Sequence, residues 1–239
     1  MSNIVQPYNI ADFLTLAKSI KPNNIKRLYP GWERKGTVAV DHSRLREDGL
    51  YTGATLGATT NPFGERAWNT DGGDFMEADG TILTDFNFDL GSLAIIVKPS
   101  GASYYTEEIT RYLFQFFFDA DNRFHLEKTS DVSPVYRTAF RGGGTNRSIS
   151  TGVITDTDWI LWILTWRTSA TIRFELFYNG VSQGSVANIT TWDAPSSMTL
   201  NIGSNNTHTL TNIGGHAHFI LWDDVLVQAE IDRMAGFWK

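Results

Sequence analysis

The stretch from Trp159 to Gly184 constrains the fold of this chain more than any other segment. It reads WILWILTWRTSATIRFELFYNGVSQG. The residues up to Trp166 are almost all apolar, so a strand formed there must be buried on both faces. One face carries Trp159, Leu161 and Ile163, and the other carries Ile160, Trp162, Leu164 and Trp166. The segment therefore predicts a central strand with an apolar layer on each side.

The end of the same segment predicts a tight hairpin. Apolar residues alternate with polar ones from Ile172 to Tyr178, which is typical of a half-buried strand, and Asn179-Gly180 follows. Asn and Gly readily adopt the positive φ that a two-residue hairpin turn requires, so a further strand should start at Val181. Because turn signals recur along the rest of the chain, we predict an all-β fold, an antiparallel β-sandwich (jelly roll) over residues 28–239.

Residues 1–27 form a separate predicted segment. Apolar residues recur there at helical spacing and Pro22 follows them, so the pattern predicts a short N-terminal amphipathic helix. A single short helix is marginal alone and must pack on something. It either docks on its own domain or anchors the protein to another subunit of a larger assembly. In the second case the assembly anchor consists of Ile10, Phe13, Leu14 and Ala17.

Charge and composition restrict the partners. The chain has 239 residues, with 20 basic and 26 acidic side chains and a formal net charge of −6. Binding phosphates needs a basic face, so we predict that nucleic acid is not the partner. Cysteine is absent, which excludes disulfides, thiolate metal sites and cysteine nucleophiles. We also expect no signal peptide and no membrane span, because the required apolar runs are missing.

Several short motifs occur in the order found in one known family. Asp41-His42-Ser43 precedes Asp48-Gly49, an aromatic stretch with an Asp-Gly turn follows between residues 66 and 76, and Tyr178-Asn179-Gly180 comes later. Over residues 36–236 this series resembles the laminin-G-like domain of the concanavalin A-like lectin and glucanase superfamily. The resemblance implies a jelly-roll fold that hosts lectins, adhesion modules, structural shells and hydrolases.

The resemblance also implies where catalytic carboxylates would lie. Glycosidases of this superfamily carry two glutamates and an aspartate on one strand face, one acting as nucleophile and one as general acid. Glu230-Ile231-Asp232 matches part of this pattern, but no second glutamate follows and the residues fall on a predicted terminal helix over 229–234. We therefore assign no catalytic residue and expect a protein that is not an enzyme. A carbohydrate-active hydrolase of the same superfamily is the alternative.

Sugar sites stack an aromatic ring on the apolar face of a pyranose and surround it with polar groups. Trp192-Asp193 precedes Ala-Pro-Ser-Ser and is predicted to lie in a loop, while Tyr104-Tyr105 follows a Pro-Ser-Gly turn. We predict that these exposed loops bind the ligand through Trp192, Asp193, Tyr104 and Tyr105. Packing of the loops onto the body of the domain is the alternative.

No metal site is specified by the sequence. His216 and His218 would share one strand face, but no third ligand is evident, and a polar outer face explains them equally. Acidic residues crowd two loops, one with Asp71, Asp74 and Asp79 and one with Asp119 and Asp121. Calcium therefore stays open as a cofactor, although Asp also favours ordinary turns. We expect no other cofactor.

Together these observations predict a non-catalytic, lectin-like protein. A sugar-binding fold without an export signal reaches an outside surface when it is carried on a particle assembled in the cytoplasm. We therefore expect a surface component of a bacteriophage virion, either a capsid decoration or a tail or head appendage, that binds host-surface glycans. Its partners would be other virion proteins, bound through residues 1–27, and homo-oligomerisation stays open. A secreted or cell-surface adhesion module is the alternative.

Overall fold

The structure, a computed structural model, describes residues 10–60, 66–78, 86, 88–131, 134–168, 174–187 and 198–236. These residues form sixteen strands, three α-helices and a short 3₁₀ helix (Pro22–Asn24), and the strands assemble into two antiparallel sheets that pack face to face. Two packed antiparallel sheets with apolar inner faces define a β-sandwich. The predicted all-β sandwich with a short N-terminal helix is therefore confirmed.

The first sheet contains eight strands and includes the predicted central strand. Labelled in chain order and written across the sheet, they are β14 (Val181–Val186), β13 (Phe174–Tyr178), β12 (Ile160–Arg167), β7 (Leu90–Pro99), β16 (Ile213–Trp222), β5 (Arg66–Asp71) and β4 (Thr55–Thr60), with β1 (Ile25–Tyr29) also paired to β16.

The second sheet also contains eight strands. Across the sheet they are β11 (Thr145–Val153), β10 (Val135–Gly142), β9 (Arg123–Lys128), β8 (Arg111–Phe117), β15 (Thr199–Ile202), β6 (Phe75–Ala78), β3 (Gly49–Thr52) and β2 (Val38–Ala39). The helices are α1 (Ile10–Ser19), α2 (Ser103–Thr106) and α3 (Gln228–Gly236).

Strand β12 separates two apolar layers, as its sequence predicts. Its even-numbered side chains, such as Trp162 and Leu164, lie in the core between the two sheets. Its odd-numbered side chains Leu161 and Ile163 lie in a second core, on the outer face of the first sheet, beneath α1 and α3. The run is apolar at nearly every position because each position faces one of these two cores.

The predicted hairpin is confirmed at Asn179-Gly180. Tyr178 pairs with Val181, and the two turn residues have φ values of 48° and 84°. Glycine is required at the second position for a further reason, because a Cβ on Gly180 would overlap the side chain of Ala235 on α3. The turn is thereby fixed both by its backbone geometry and by a neighbouring helix.

Helix α1 packs on its own domain. Phe13 and Ala17 are buried in the second core, together with Leu161 on β12. The two predicted anchor side chains Phe13 and Ala17 therefore contact this chain and have no exposed face for another subunit, so their assignment to an assembly anchor is wrong. Helix propensity alone could not decide this, because an amphipathic face fits either partner. The side chains of Ile10 and Leu14 lie outside the described part of the structure.

The predicted boundary between residues 27 and 28 falls inside β1. That strand pairs antiparallel with β16, where Leu28 lies opposite Ile220. The indole N–H of Trp222, at the end of β16, donates a hydrogen bond of 3.1 Å to the carbonyl of Ile20. The segment after α1 is thus continuous with the first sheet.

Candidate functional site

An open cleft of about 590 Å³ lies where α1, β1 and the loop between β2 and β3 meet. We call it the cationic cleft because, among the described residues that line it, three are basic and none is acidic. Its lining consists of Lys18, Pro22, Asn23, Ile25, Leu28, His42, Ser43, Arg44 and Arg46.

The loop from residue 41 to residue 48 is built around the buried carboxylate of Asp41. This carboxylate accepts hydrogen bonds from the backbone N–H groups of Leu28 (2.9 Å), Ser43 (2.8 Å) and Glu47 (3.1 Å). It also accepts one from the Ser43 hydroxyl at 2.7 Å. A carboxylate that accepts this many bonds fixes the backbone around it, so the loop is held in one conformation.

A second set of contacts secures the far side of the loop. The fully buried guanidinium of Arg27 forms an ion pair with Glu47, and the hydroxyl of Tyr29 donates to the Glu47 carbonyl at 2.8 Å. Burial raises the pKa of Tyr29 well above its usual value, so this hydroxyl stays protonated and remains a donor. The loop is thereby attached to β1 at two points.

The cations of the cleft differ from two nearby lysines that form ion pairs. Outside the lining, Lys21 pairs with Asp224 at 2.7 Å and Lys26 pairs with Asp223 at 2.9 Å. Within the described part of the chain, Lys18, Arg44 and Arg46 form no ion pair. All three side chains are exposed to solvent.

One of these cations has a hydrogen-bond partner across the cleft, and the backbone that carries another is strained. Arg44 donates a hydrogen bond of 3.1 Å to the amide oxygen of Asn23, across the cleft. Arg46 has a φ of 54°, in the left-handed region that few residues other than glycine adopt. Such backbone strain persists where surrounding contacts enforce it, as they do in this loop, and it is concentrated at functional sites.

An aromatic pair stands beside the cleft. The indole of Trp32 and the imidazole of His42, which lines the cleft, meet edge to face with ring centroids 5.2 Å apart. Trp32 is half-buried and also packs against the second core. The wall formed by His42 is thus supported from behind by a larger ring.

The outer face of the second sheet is polar but largely covered. The strand registers place Ala139, His125, Gln115, Asn201 and Glu77 in one row across β10, β9, β8, β15 and β6. The loop after β15 lies over the middle of this row. There the N–H of Asn206 donates to the Gln115 side chain at 2.6 Å, and His208 lies 3.0 Å from Asn201. This face therefore offers a ligand less access than the cationic cleft.

The carboxylates on this face do not form a glycosidase pair. Glu127 accepts a hydrogen bond of 2.7 Å from Arg137, and these two side chains form an ion pair. The other glutamate of the face, Glu77, lies three strands away, or about 14 Å at the usual strand spacing. Glycosidases hold their two carboxyl groups about 5 to 9.5 Å apart. Glu77 and Glu127 thus lack the required geometry.

The Glu-x-Asp patterns of the sequence do not provide a glycosidase carboxylate set either. The side chain of Glu230 caps α3, where it accepts the N–H of Val227 at 2.9 Å. Glu77-Ala78-Asp79 is a second match that begins on β6, and Asp79 lies outside the described residues. Thr81 and Ile82 occupy the positions where a second glutamate would follow.

The structure buries the predicted tyrosines. Tyr104 and Tyr105 lie on α2 and are 1% and 4% exposed. Their hydroxyls donate to the side chain of Asn212 (2.7 Å) and to the carbonyl of Asp156. Burial raises the pKa of both hydroxyls, that of Tyr105 to about 12. The predicted exposure of these rings is wrong, because the turn before them folds inward. Trp192 and Asp193 lie outside the described residues.

The two histidines of β16 do not share a face. One extra residue is inserted in β16 between His216 and Phe219, which is a β-bulge. His216 stacks on Trp68 in the core between the sheets, with centroids 4.4 Å apart, and His218 stacks on Phe13 at 5.2 Å beneath α1. The alternation predicted from sequence fails at the bulge.

The acidic loops are explained by local turns. The side chain of Asp74 accepts the N–H of Asp71 at 3.0 Å, and Asp119 accepts the N–H groups of Asp121 and Asn122 at 2.8 Å. Burial raises the pKa of Asp74. Among the described residues, no three His, Asp or Glu side chains are grouped so that they could hold a metal ion.

Sequence reasoning missed the cationic cleft. Its signal is the pair Arg44-Leu45-Arg46 beside the Asp41-His42-Ser43 motif, in a chain whose net charge is negative. Lys18 and Asn23 come from a separate segment of the chain. Only the fold brings these two segments together, so no local pattern reveals the cleft.

No protein-family profile matches this chain, and neither does any curated protein sequence. Solved structures do match. Domain 4 of AbnA, an extracellular GH43 arabinanase of Geobacillus stearothermophilus in complex with arabinotriose, is 13% identical with a TM-score of 0.65, and the match covers 89% of this chain and 98% of that one.

Two further structures share the fold. One of botulinum neurotoxin type C, whose cell entry depends on two ganglioside molecules, is 10% identical with a TM-score of 0.68. The match covers 91% of this chain and 52% of the toxin chain, so this chain spans about half of that structure. The CBM40 of the Ruminococcus gnavus IT-sialidase, bound to α2,3-sialyllactose, is 13% identical with a TM-score of 0.51, over 66% of this chain and 92% of that one.

At these identities the likeness shows the fold alone. The chain has the two-sheet jelly-roll fold of these lectin-like β-sandwich structures. No helix in the described ranges combines the length and apolar character needed to cross a membrane.

Proposed function

We propose that this protein is a non-catalytic, lectin-like module, of the laminin-G-like branch of this fold, that binds glycans in the cationic cleft. One observation carries the proposal: a rigid, open cleft lined with hydrogen-bonding side chains stands on a fold shared with several sugar-binding domains. Fold alone does not set function, so the cleft is the necessary second part of the argument.

The size and lining of the cleft fit a short saccharide. Its volume of about 590 Å³ lies within the usual range for small-ligand sites. Asn23, Arg44 and Arg46 supply donors for sugar hydroxyl and ring oxygens, and Asn23 adds an acceptor. The structures reported above were solved with arabinotriose and with α2,3-sialyllactose, ligands of comparable size.

The carboxylate geometry supports binding without catalysis. Glu127 is paired with Arg137, and Glu77 is too distant to act with it. None of the described side chains that line the cationic cleft is acidic. A bound saccharide would therefore meet no acid and nucleophile pair there.

A glycan array with the full chain tests the proposal. We expect binding to at least one glycan and no release of reducing ends from bound or soluble glycans. Asn23→Trp should block the cleft, because Asn23 is exposed on its wall, and should abolish array binding. Asn146→Trp places the same side chain at an exposed site on the edge strand β11 and should leave binding intact. A silent array, or hydrolysis of a glycan, contradicts the proposal.

Trp192 and Asp193 stay predicted ligand contacts. The same array tests them with Trp192→Ala, which should weaken binding if the indole stacks on a sugar ring. Unchanged binding would remove this pair from the site and leave the cleft as the place of contact.

We further propose that the module acts on the surface of a bacteriophage virion, as a capsid decoration or an appendage. Its support is a lectin-like fold in a cysteine-free chain, since a protein that matures in a reducing cytoplasm cannot rely on disulfides. Immunogold labelling of purified particles should mark their surface. Labelling confined to particle-free lysate would contradict this setting and favour an adhesion module.

A further inference from the structure

We propose that the cationic cleft selects saccharides that carry a carboxylate, such as a sialic or uronic acid. This inference rests on the proposed function, because it names the class of glycan that the same cleft binds. The residues that recognise the carboxylate are Lys18, Arg44 and Arg46, and all three are exposed at the cleft.

The charge of the lining is the first argument. Among its described lining residues, the cleft gathers three basic side chains and no acidic one, in a protein whose formal net charge is −6. A concave site lined by one sign of charge concentrates field lines and attracts ligands of the opposite sign. A neutral sugar gains only hydrogen bonds from this arrangement, whereas an acidic sugar also gains charge attraction, which raises both its association rate and its affinity.

The pairing pattern is the second argument. Lys21, Lys26 and Arg27 belong to the same region of the chain, and each is neutralised by an acidic partner. Of the residues that the structure describes, none forms an ion pair with Lys18, Arg44 or Arg46. Within the described residues, these three neighbours of the cleft are thus paired and the three cations inside it form no ion pair, a state that they share with Arg34 and Lys35.

Preorganisation is the third argument. The Asp41 carboxylate fixes the loop that carries Arg44 and Arg46, and the amide oxygen of Asn23 orients Arg44 from the opposite wall. Arginine presents a planar set of donors that matches both oxygens of a carboxylate. Because the loop is already ordered, ligand binding loses little affinity to the conformational entropy of ordering it.

Paired ligands test the charge preference. Isothermal titration of the full chain compares 3′-sialyllactose with lactose, and trigalacturonate with neutral galactotriose, at about 20 mM and about 500 mM NaCl. The acidic member of at least one pair should bind about tenfold more tightly or better at low salt, the effect of one charge-assisted hydrogen bond. This preference should shrink at high salt. Which pair responds identifies the acidic sugar as a sialic or a uronic acid.

Two variants connect the preference to the cleft. Arg44→Gln and Arg46→Gly should each weaken binding of the acidic ligand about tenfold and weaken binding of the neutral ligand by a smaller factor, so that the preference for the acidic ligand falls. Arg46→Gly also relieves the positive φ at that position, so its melting temperature should stay level or rise. If Arg46→Gly loses binding of the acidic ligand while its melting temperature is unchanged or higher, the loss does not come from misfolding. Arg147→Gln, on β11 of the second sheet, removes a charge elsewhere and should change nothing.

The outcomes separate this inference from the proposed function. A glycan array that is silent for all glycans overturns both. Two results overturn the carboxylate preference but leave the proposed glycan binding intact. In one, the acidic and the neutral ligand of each pair bind with equal affinity. In the other, the acidic ligand still binds with unchanged affinity to both arginine variants. Acidic preference that is lost in both variants supports the inference.

Discussion

Lowering the pH from 7 to 5 should destabilise the protein strongly, because three histidines are buried as neutral rings. Burial lowers the pKa of His216 to about 3 and that of His218 to about 4. Burial, assisted by the positive charges of Arg123 and Arg137, lowers the pKa of His125 to about 3. In the unfolded chain the same side chains titrate near about 6.5. As the pH falls below that value, protons bind to the unfolded state and favour it.

The magnitude follows from the difference in pKa. A group that is protonated only in the unfolded state costs about 1.4 kcal/mol of stability per pH unit below its unfolded pKa. Between about pH 6.5 and pH 5, each histidine therefore costs about 2 kcal/mol, and the three together cost about 6 kcal/mol. Since a domain is typically stable by about 5–15 kcal/mol, this loss brings the protein close to unfolding.

Acidic groups do not account for the same window. Burial raises the pKa of Asp74, and a raised carboxyl pKa makes the folded state more stable as the pH falls. The pKa of Asp224 is lowered: burial opposes the shift, but the hydrogen bond and charge of Lys21 outweigh it. The stability that Asp224 contributes is lost mainly below about pH 4, since its unfolded pKa is about 3.9. The histidines dominate between pH 5 and pH 7.

Urea unfolding followed by tryptophan fluorescence at pH 7, 6, 5.5 and 5 measures the effect. His216→Gln and His218→Gln should each lower the stability at pH 7 but reduce the dependence on pH by about one third. His42→Gln is the matched control, since His42 is only half-buried. A free energy of unfolding that is flat from pH 7 to pH 5, or an equal slope in wild type and both variants, would refute the reasoning.

Three further predictions concern the contacts that hold the sandwich together. Gly180→Ala should lower the free energy of unfolding by about 1–3 kcal/mol, because the positive φ and the overlap with Ala235 both oppose a Cβ. Gly143 also has a positive φ but open space around it, so Gly143→Ala should lower the stability by only about 1 kcal/mol; thermal melting measures both. Phe13→Ala should lower the free energy of unfolding in urea by about 3–5 kcal/mol, because the ring is only 1% exposed and lies in the second core. A decrease below about 1 kcal/mol would mean that α1 is not docked on the sheet. Deleting residues 1–27 uncovers that core and should produce aggregation in light scattering, and a folded monomer would contradict this.

The sequence determines those parts of the fold that depend on local pattern. The two apolar faces of β12 and the Asn179-Gly180 turn are predicted correctly, because strand periodicity and turn geometry are properties of neighbouring residues. The prediction that His216 and His218 share one strand face is wrong because a β-bulge shifts the alternation by one residue. The residue types around the bulge do not indicate its presence.

The candidate site was less predictable for a physical reason. An aromatic residue after a turn signal can be either exposed or buried, and the sequence does not distinguish the two. Tyr104 and Tyr105 follow such a signal, yet both rings are buried. The cationic cleft joins Lys18 on α1 to Arg44 on a loop, two segments that only the docking of α1 brings together. Binding sites formed between elements need the tertiary fold before they can be recognised.

The position of β16 has a consequence for how the chain folds. This strand lies between β7 on one side and both β5 and β1 on the other, and Asn24 bonds to Asp223 across 199 positions of sequence at 2.9 Å. The middle of the first sheet therefore stays open until the residues of β16 have left the ribosome. Contacts of such sequence separation slow folding, and until they form, the edges of β7 and β5 are unpaired. We expect the first sheet of the nascent protein to form only after β16 has emerged, in a step that closes the sheet around this strand.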